Sequence, residues 1–178
     1  TGMHEADRMN TRVEVPKTIM FVTDTFISSP GNPVGGAEKQ LYLLATTLDK
    51  TLFRSIVVHL SPYDYLPIAR ENIGSVEVYN FPVQRLYSIN GIRQFRAIAN
   101  LVRKKNVDII QTFFEKSEVI GAFIKLFACV PVWITSRRDL GFKRKRIYTK
   151  IFEFTGRQCS RCVANCEAIK EQMVTNEK

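Results

Sequence analysis

Short apolar runs alternate along the chain with longer stretches in which apolar residues recur every three or four positions. The short runs predict buried strands, and the longer spacing predicts helices that pack one face on a sheet. The strand-like runs cover residues 19–22, 56–58, 76–79, 107–110, 132–135 and 162–164. The helical spacing covers residues 41–48, 95–102, 118–127, 147–154 and 167–173.

This alternation predicts an α/β fold with a mainly parallel sheet of about six strands, because strand–helix–strand units lay successive strands in the same direction. The strand-like runs are apolar almost throughout, which indicates strands that are covered on both faces. The 178 residues suit a single domain. We expect residues 17–178 to form that domain and residues 1–16 to be a tail or an expression remnant.

The net charge of +9 is unevenly distributed. Residues 137–150 hold seven basic residues and one acidic residue, a charge of +6 that leaves +3 for the other 164 residues. Such a local excess predicts a phosphate-bearing ligand, an anionic membrane or a nucleic acid as partner. The basic run 143–146 precedes Ile147 and Ile151, which suits an anionic membrane surface. The alternative is that this apolar face packs in the core and the charges are solvated.

The sequence shows no signal for secretion or for a membrane span. No apolar run approaches the roughly 18 residues that a span needs. Residues 1–10 lack the apolar segment of a secretion signal. We therefore expect a cytoplasmic protein, with the inner face of a membrane as one place where it could act.

A glycine-rich loop follows the first predicted strand and ends at Gly35-Gly36-Ala37-Glu38, where an amphipathic helix begins. The start of a helix offers unpaired N–H groups, and glycines let the backbone approach a phosphate closely. We therefore predict a diphosphate or other anion site at Gly35, Gly36 and Ala37, and we expect Glu38 to cap the helix. The alternative is a flexible loop in which the glycines only make a turn.

The loop does not match the dinucleotide fingerprint. Gly31, Gly35 and Gly36 do not fit its spacing, because Pro33 stands where the second glycine should be. The second predicted strand is followed by Ser61 and Pro62 and not by an acidic residue that could bind a ribose. Both features argue against a nicotinamide-dependent dehydrogenase.

Several motifs occur in an order that is similar to a known family. The glycine loop GGAE is followed by the strand VDII at 107–110, the strand VWIT at 132–135 and the segment VANCEAIKEQM at 163–173. With this set, which covers nearly all of residues 17–178, the chain resembles the N-terminal domain of family 4 retaining glycosyltransferases. No single motif in the set is strong, and the resemblance depends on their order.

The resemblance implies a Rossmann-like three-layer domain, the N-terminal half of a GT-B fold. It implies that a C-terminal domain, absent from this sequence, binds most of a nucleotide-diphosphate sugar, the donor substrate. The N-terminal domain would supply the acceptor surface, with the predicted anion site near the donor diphosphate. We expect a glycan or lipid-linked acceptor, a role in polysaccharide or glycoconjugate biosynthesis, no tightly bound cofactor, and no activity for this chain alone.

The chain departs from the family pattern at positions where many members carry histidine. Gln111, Thr112 and Phe113 follow the fourth predicted strand, and Arg137 or Arg138 follows the fifth. The catalytic residues therefore stay unknown, and the leaving phosphate is thought to help deprotonate the acceptor in such retaining enzymes. An arginine can instead bind a phosphate or carboxylate. The residues expected to bind the acceptor or a phosphate are Gln111, Phe113, Arg137, Arg138, Asp139 and Lys143.

Two other interpretations carry less weight. Cys159, Cys162 and Cys166, with Cys129, invite a metal site, but the first three flank a predicted strand and would face different ways. We predict free thiols in the core and no metal. The second interpretation is a non-enzymatic basic α/β module that binds RNA or another polyanion. The basic segment lacks interleaved stacking aromatics, so we expect no nucleic-acid partner.

Overall fold

A computed structural model describes residues 15–29, 32–33, 35–62, 71–137 and 156–176. Its strands are β1 (Lys17–Thr23), β2 (Ile27–Ser29), β3 (Asn32–Pro33), β4 (Phe53–His59), β5 (Glu71–Ile73), β6 (Val76–Asn80), β7 (Ile109–Phe113), β8 (Val132–Arg137) and β9 (Arg161–Ala164). Its helices are α1 (Gly36–Thr47), α2 (Ile89–Lys104), α3 (Glu115–Phe127) and α4 (Glu167–Asn176). None of these helices is both long and apolar enough to cross a membrane.

The main sheet has the strand order β5-β6-β4-β1-β7-β8-β9. Six of its strands are parallel, and β5 pairs antiparallel with β6 at one edge. The prediction of an α/β fold with about six mainly parallel strands is therefore confirmed. Strand β5 and the β2–β3 pair were not predicted, because strands of two or three residues are too short to show a period.

Two apolar clusters cover the two faces of this sheet. On one face, Met20 and Val22 of β1 pack with residues of α2 and α3. On the other face, Ile19 and Phe21 pack with Leu41 of α1. Neighbouring residues of a strand point to opposite faces, so a strand buried on both sides must be apolar at every position. The continuous apolar run of β1 has this cause.

The fourth predicted strand is displaced along the chain. It was expected at 107–110, but the structure has β7 at Ile109–Phe113. Two polar residues, Gln111 and Thr112, end the apolar run in the sequence. They nevertheless lie inside the sheet, because each has a hydrogen-bond partner there. Gln111 Nε2 donates to Ser136 Oγ at 2.8 Å, and Thr112 Oγ1 accepts from Trp133 Nε1 at 3.1 Å. The helix expected at 147–154 lies outside the described residues.

Helix α3 lies against the sheet where the largest fully buried side chain, Trp133, is located. Gly121 of α3 makes this approach possible. A Cβ on Gly121 would lie 2.4 Å from Thr112 Cγ2 and 2.8 Å from Trp133 Nε1. Both neighbours are fully buried and bonded to each other, so neither can move aside.

We predict that Gly121→Ala destabilises the chain by roughly 1–3 kcal/mol, because overpacking outweighs the better helix propensity of alanine. Gly36→Ala is the matched control, since a Cβ there would meet no atom within 4 Å. Urea unfolding of both variants provides the measurement. A Gly121→Ala protein as stable as the parent would contradict this packing.

The start of α3 is held by Asp24, the first residue after β1. Its two carboxylate oxygens accept the backbone N–H of Ser117 at 2.8 Å and of Lys116 at 3.2 Å. Asp24 therefore acts as the N-terminal cap of a helix 90 residues further along the chain. Burial raises the pKa of Asp24 to about 6, although these two N–H groups oppose the shift.

We predict that Asp24 makes the chain less stable as the pH rises from about 4 to about 6. A carboxyl whose pKa is raised on folding binds its proton more tightly in the folded state, so deprotonation favours unfolding. The shift from 3.8 to about 6 corresponds to about 3 kcal/mol. Asp24→Asn should flatten the unfolding free energy between pH 4 and 6 in urea titrations. An unchanged pH slope in this variant would refute the assignment.

Candidate functional site

The glycine loop lies at the carboxyl edge of the sheet, between the end of β1 and the start of α1. Gly35 is the N-cap of α1, and none of the side chains that the structure describes caps this end of the helix. Gly36 is exposed and Ala37 is half-buried. A Cβ on Gly36 would face open space, with no atom within 4 Å. The protein itself therefore does not require glycine at this position, whereas a ligand bound close to the backbone would.

Glu38 does not cap α1, so that expectation was wrong. Its Oε1 instead accepts the hydroxyl of Thr25 at 2.6 Å, and the side chain is buried. The carboxylate lies over Gly35, where an added Cβ would come within 2.8 Å of Glu38 Oε2. Glu38 thus ties the first turn of α1 to the segment after β1 and occupies the space that a side chain at residue 35 would need.

The segment after β1 was not identified as functional from the sequence. Thr23 Oγ1 donates to the carbonyl of Thr25 at 2.8 Å, which closes a tight turn around Asp24. Asp24 then binds the start of α3, and Thr25 binds Glu38 in α1. The only available signal was a short polar stretch directly after a buried strand, at the edge where ligands of parallel sheets bind.

A second unusual feature at this edge is the backbone of Phe114. Its φ of 74° and ψ of 173° lie in a region that is open almost only to glycine. Phe114 directly precedes α3 and is its N-cap residue, but its side chain makes no capping hydrogen bond. Asp24 supplies the missing acceptor from another element, so the strained residue and its support meet at the carboxyl edge.

The residues expected on the acceptor side after β7 differ in their positions. Phe113 is a core residue with 1% exposure, and its ring lies 6.3 Å from that of Phe21. The expected contact of Phe113 with an acceptor is therefore wrong, because β7 extends further than the apolar run indicated. Gln111 is half-buried and bonded to Ser136, and its role in binding stays a prediction.

Arg137 ends β8 and forms a buried ion pair with Glu118 of α3. The two side chains are 5% and 3% exposed, and Glu118 Oε2 also accepts the hydroxyl of Thr135 at 3.1 Å. A buried pair of this kind costs desolvation, and removing one partner would leave an uncompensated charge. Arg137 lies at the expected edge, but its Nη1 binds a carboxylate of its own chain. Binding of a phosphate or acceptor by Arg137 stays a prediction.

Arg138, Asp139 and Lys143 lie outside the described residues, as does the rest of the basic run. The cysteines do not match the expectation of core thiols. Cys129, Cys162 and Cys166 are exposed, Cys159 is half-buried, and all four are outside disulfides. Within the described ranges, no group of three or more metal-ligating side chains is suitably placed.

A cavity of about 680 Å³ lies at the opposite, amino edge of the sheet, among the starts of β1 and β4 and the end of α2. Of the four cations that line it, three are already paired with acids of the chain, and the fourth, Lys50, is exposed. Lys17 lies 3.3 Å from Asp108, and Lys105 lies 2.7 Å from Glu77, which also binds Arg54. Although burial opposes it, hydrogen bonds from Lys105, Tyr79 and Arg54 lower the pKa of Glu77 to about 2. This cavity therefore offers an anion mostly cations that already have partners, whereas the glycine loop offers backbone N–H groups at a helix start.

Several solved glycosyltransferase structures share this fold. Sucrose-phosphate synthase from Thermosynechococcus elongatus matches with a TM-score of 0.73 at 11% identity, over 89% of this chain and 45% of that one. HepE of Anabaena, solved in complex with UDP and glucose, matches with a TM-score of 0.62 at 16% identity, over 90% of this chain and 41% of that one. The chain thus spans less than half the length of these proteins.

These likenesses confirm the Rossmann-like half of a GT-B fold that the motifs implied. No curated protein sequence matches the chain significantly. The family model of glycosyltransferase family 4 matches residues 34–177, from the residue before Gly35 to the last helix. Because this match covers most of the sequence, the chain belongs to glycosyltransferase family 4.

Proposed function

We propose that the chain is the acceptor-side half of a retaining glycosyltransferase, which moves a sugar from a nucleotide-diphosphate sugar to a glycan or lipid-linked acceptor. The pathway would be polysaccharide or glycoconjugate biosynthesis. The observation that carries the proposal is the glycine loop, where an uncapped helix start faces open space at Gly36. The bound UDP and glucose of the similar HepE support a nucleotide sugar as ligand.

The donor diphosphate would be bound by the backbone N–H groups of Gly36 and Ala37, at the positive end of the α1 dipole. Gly35 and Glu38 would hold this turn in place, because the Glu38 carboxylate packs over Gly35 and binds Thr25. The turn is therefore fixed before the ligand arrives, which lowers the cost of ordering it on binding.

The acceptor would lie beside the ends of β7 and β8. We keep Gln111, Arg137, Arg138, Asp139 and Lys143 as the proposed binding residues. Asp24 is a poor candidate for the base, since both of its oxygens already accept N–H groups of α3. Without an assigned base, the leaving phosphate of the donor would take the acceptor proton. We further propose that the protein works in the cytoplasm, at the inner face of a membrane that carries the acceptor.

In a protein that joins this chain to its donor domain, we predict that Gly36→Val lowers turnover about a hundredfold or more. The valine side chain would occupy the open space and keep the diphosphate away from the helix start, removing contacts of the kind that stabilise developing charge. Leu43→Val is the control, since it places the same valine side chain at an exposed position of the same helix. Sugar transfer from a panel of nucleotide sugars is measured, with circular dichroism melts to confirm folding. Equal turnover of both variants would show that the diphosphate does not bind at this loop.

The chain by itself should transfer no sugar above the blank, because the reaction needs groups on both sides of a cleft. The chain spans only 45% and 41% of two solved proteins that share its fold. The same donor and acceptor panel is incubated with this chain and, as a positive control, with a protein that carries the donor domain as well. Robust transfer by the chain alone would overturn the proposal that donor binding requires a second domain.

A further inference from the structure

The outer face of helices α2 and α3 exposes large apolar side chains. Both helices pack on the same face of the sheet, as their shared core cluster shows. Ile89 is 82% exposed and Tyr87, just before α2, is 85% exposed. The residues that we call the α2–α3 surface are Tyr87, Ile89, Ile92, Phe123, Leu126 and Phe127. Single exposed apolar residues are ordinary, but a group of five on two adjacent helices, with Tyr87 just before one of them, indicates an interaction surface.

Aromatic contacts join the two helices along this surface. The Phe95 ring of α2 lies 6.0 Å from the rings of both Phe123 and Phe127 in α3. Ile92 lies one helical turn before Phe95, and Ile89 lies one turn before Ile92, so the apolar residues of α2 continue the cluster toward the carboxyl edge. The exposed apolar residues therefore form one stripe that runs from the ring cluster toward the start of α2.

Positive charge accompanies the stripe. Residues 82–105 hold six basic residues and no acidic residue, and one of the six, Lys105, is paired with Glu77 at the amino edge. The positive charge is therefore not concentrated in residues 137–150 alone, which corrects the expectation of a single local excess. Arg93 and Arg96 follow Ile89 and Ile92 by four residues each, which places a cation beside each exposed isoleucine. Both arginines are exposed.

We infer that the α2–α3 surface binds an anionic lipid membrane. Arginines beside exposed apolar residues are the combination that lies in a membrane interface, with the charges at the headgroups and the apolar groups below them. Ile89, Ile92 and Leu126 have no ring on which a nucleic-acid base could stack, and they gain only by entering an apolar medium. Phe123 and Phe127 stack on each other, with 21° between their rings, which leaves less ring face for a base.

This surface would place the membrane next to the proposed ligand site. Helix α2 begins at the carboxyl edge of the sheet, where the glycine loop lies, so a membrane on the α2–α3 surface would run beside the ligand edge. A lipid-linked acceptor could then reach that edge without leaving the bilayer. The inference deepens the membrane part of the proposed function, and its test is independent of sugar transfer because vesicle binding needs no sugar nucleotide.

The test is co-sedimentation of this chain with vesicles of phosphatidylcholine alone and with vesicles that also contain phosphatidylglycerol. The parent chain should bind the anionic vesicles and only weakly the neutral ones. Arg93→Gln combined with Arg96→Gln should lower binding roughly ten- to thirtyfold, since each basic residue near an anionic surface contributes about a factor of five. Ile92→Ser combined with Phe127→Ser should lower binding by about tenfold or more.

Each double variant has a matched control on exposed positions elsewhere. Lys39→Gln with Lys50→Gln removes two exposed cations, and Leu43→Ser with Leu52→Ser removes two apolar residues of similar exposure, 48% and 50%. Circular dichroism melts show whether each variant is folded. The inference is overturned if the parent chain ignores anionic vesicles, if the controls lose as much binding as the α2–α3 variants, or if a single-stranded RNA oligonucleotide binds where vesicles do not.

Discussion

The two residues that follow β1 hold two helix starts at the carboxyl edge of the sheet. Asp24 accepts two N–H groups of α3, and Thr25 donates to Glu38 in α1. Helices α1 and α3 lie on opposite faces of the sheet, so this turn is the point where both layers are tied to the central strand. The position of the glycine loop relative to β7 and β8 therefore depends on three hydrogen bonds made by two consecutive residues.

Those hydrogen bonds come with buried carboxyl groups. Glu38 and Glu118 are buried, Asp24 is half-buried, and burial raises the pKa of Asp24 to about 6. Burying such groups costs free energy unless every one has partners, and each of these three has them. Phe114 adds backbone strain of about 1–3 kcal/mol at the same edge. The buried carboxyl groups and the strained backbone both lower the stability of this edge. Such a loss of stability is expected where a fold positions a functional site.

The sequence predicted the elements that are long or continuously apolar and missed those whose stability comes from other elements. Strands buried on both faces, such as β1, showed a continuous apolar run, and the helices showed an apolar residue every three or four positions. The end of β7 did not, because Gln111 and Thr112 look like loop residues until Ser136 and Trp133 are seen beside them. Glu38 fitted a capping box by its spacing, but spacing cannot show that Thr25 competes for the carboxylate. The prediction that the cysteines lie in the core missed their exposure for a similar reason. How often cysteine is buried in proteins describes the residue type and not a particular position.

The two edges of the sheet differ in a way that decides between them as ligand sites. Several lysines line the amino-edge cavity, which by composition alone would suggest an anion site. Helix α2 ends there, however, so its carbonyl groups give that edge partial negative charge, and Lys105 and Lys17 are paired with Glu77 and Asp108. At the carboxyl edge α1 presents N–H groups without a capping side chain from the described residues, and none of their atoms lies within 4 Å of a Cβ placed on Gly36. An anion gains more from unpaired donors on a fixed backbone than from cations that must first leave their partners. The smaller and less charged loop is therefore the better anion site.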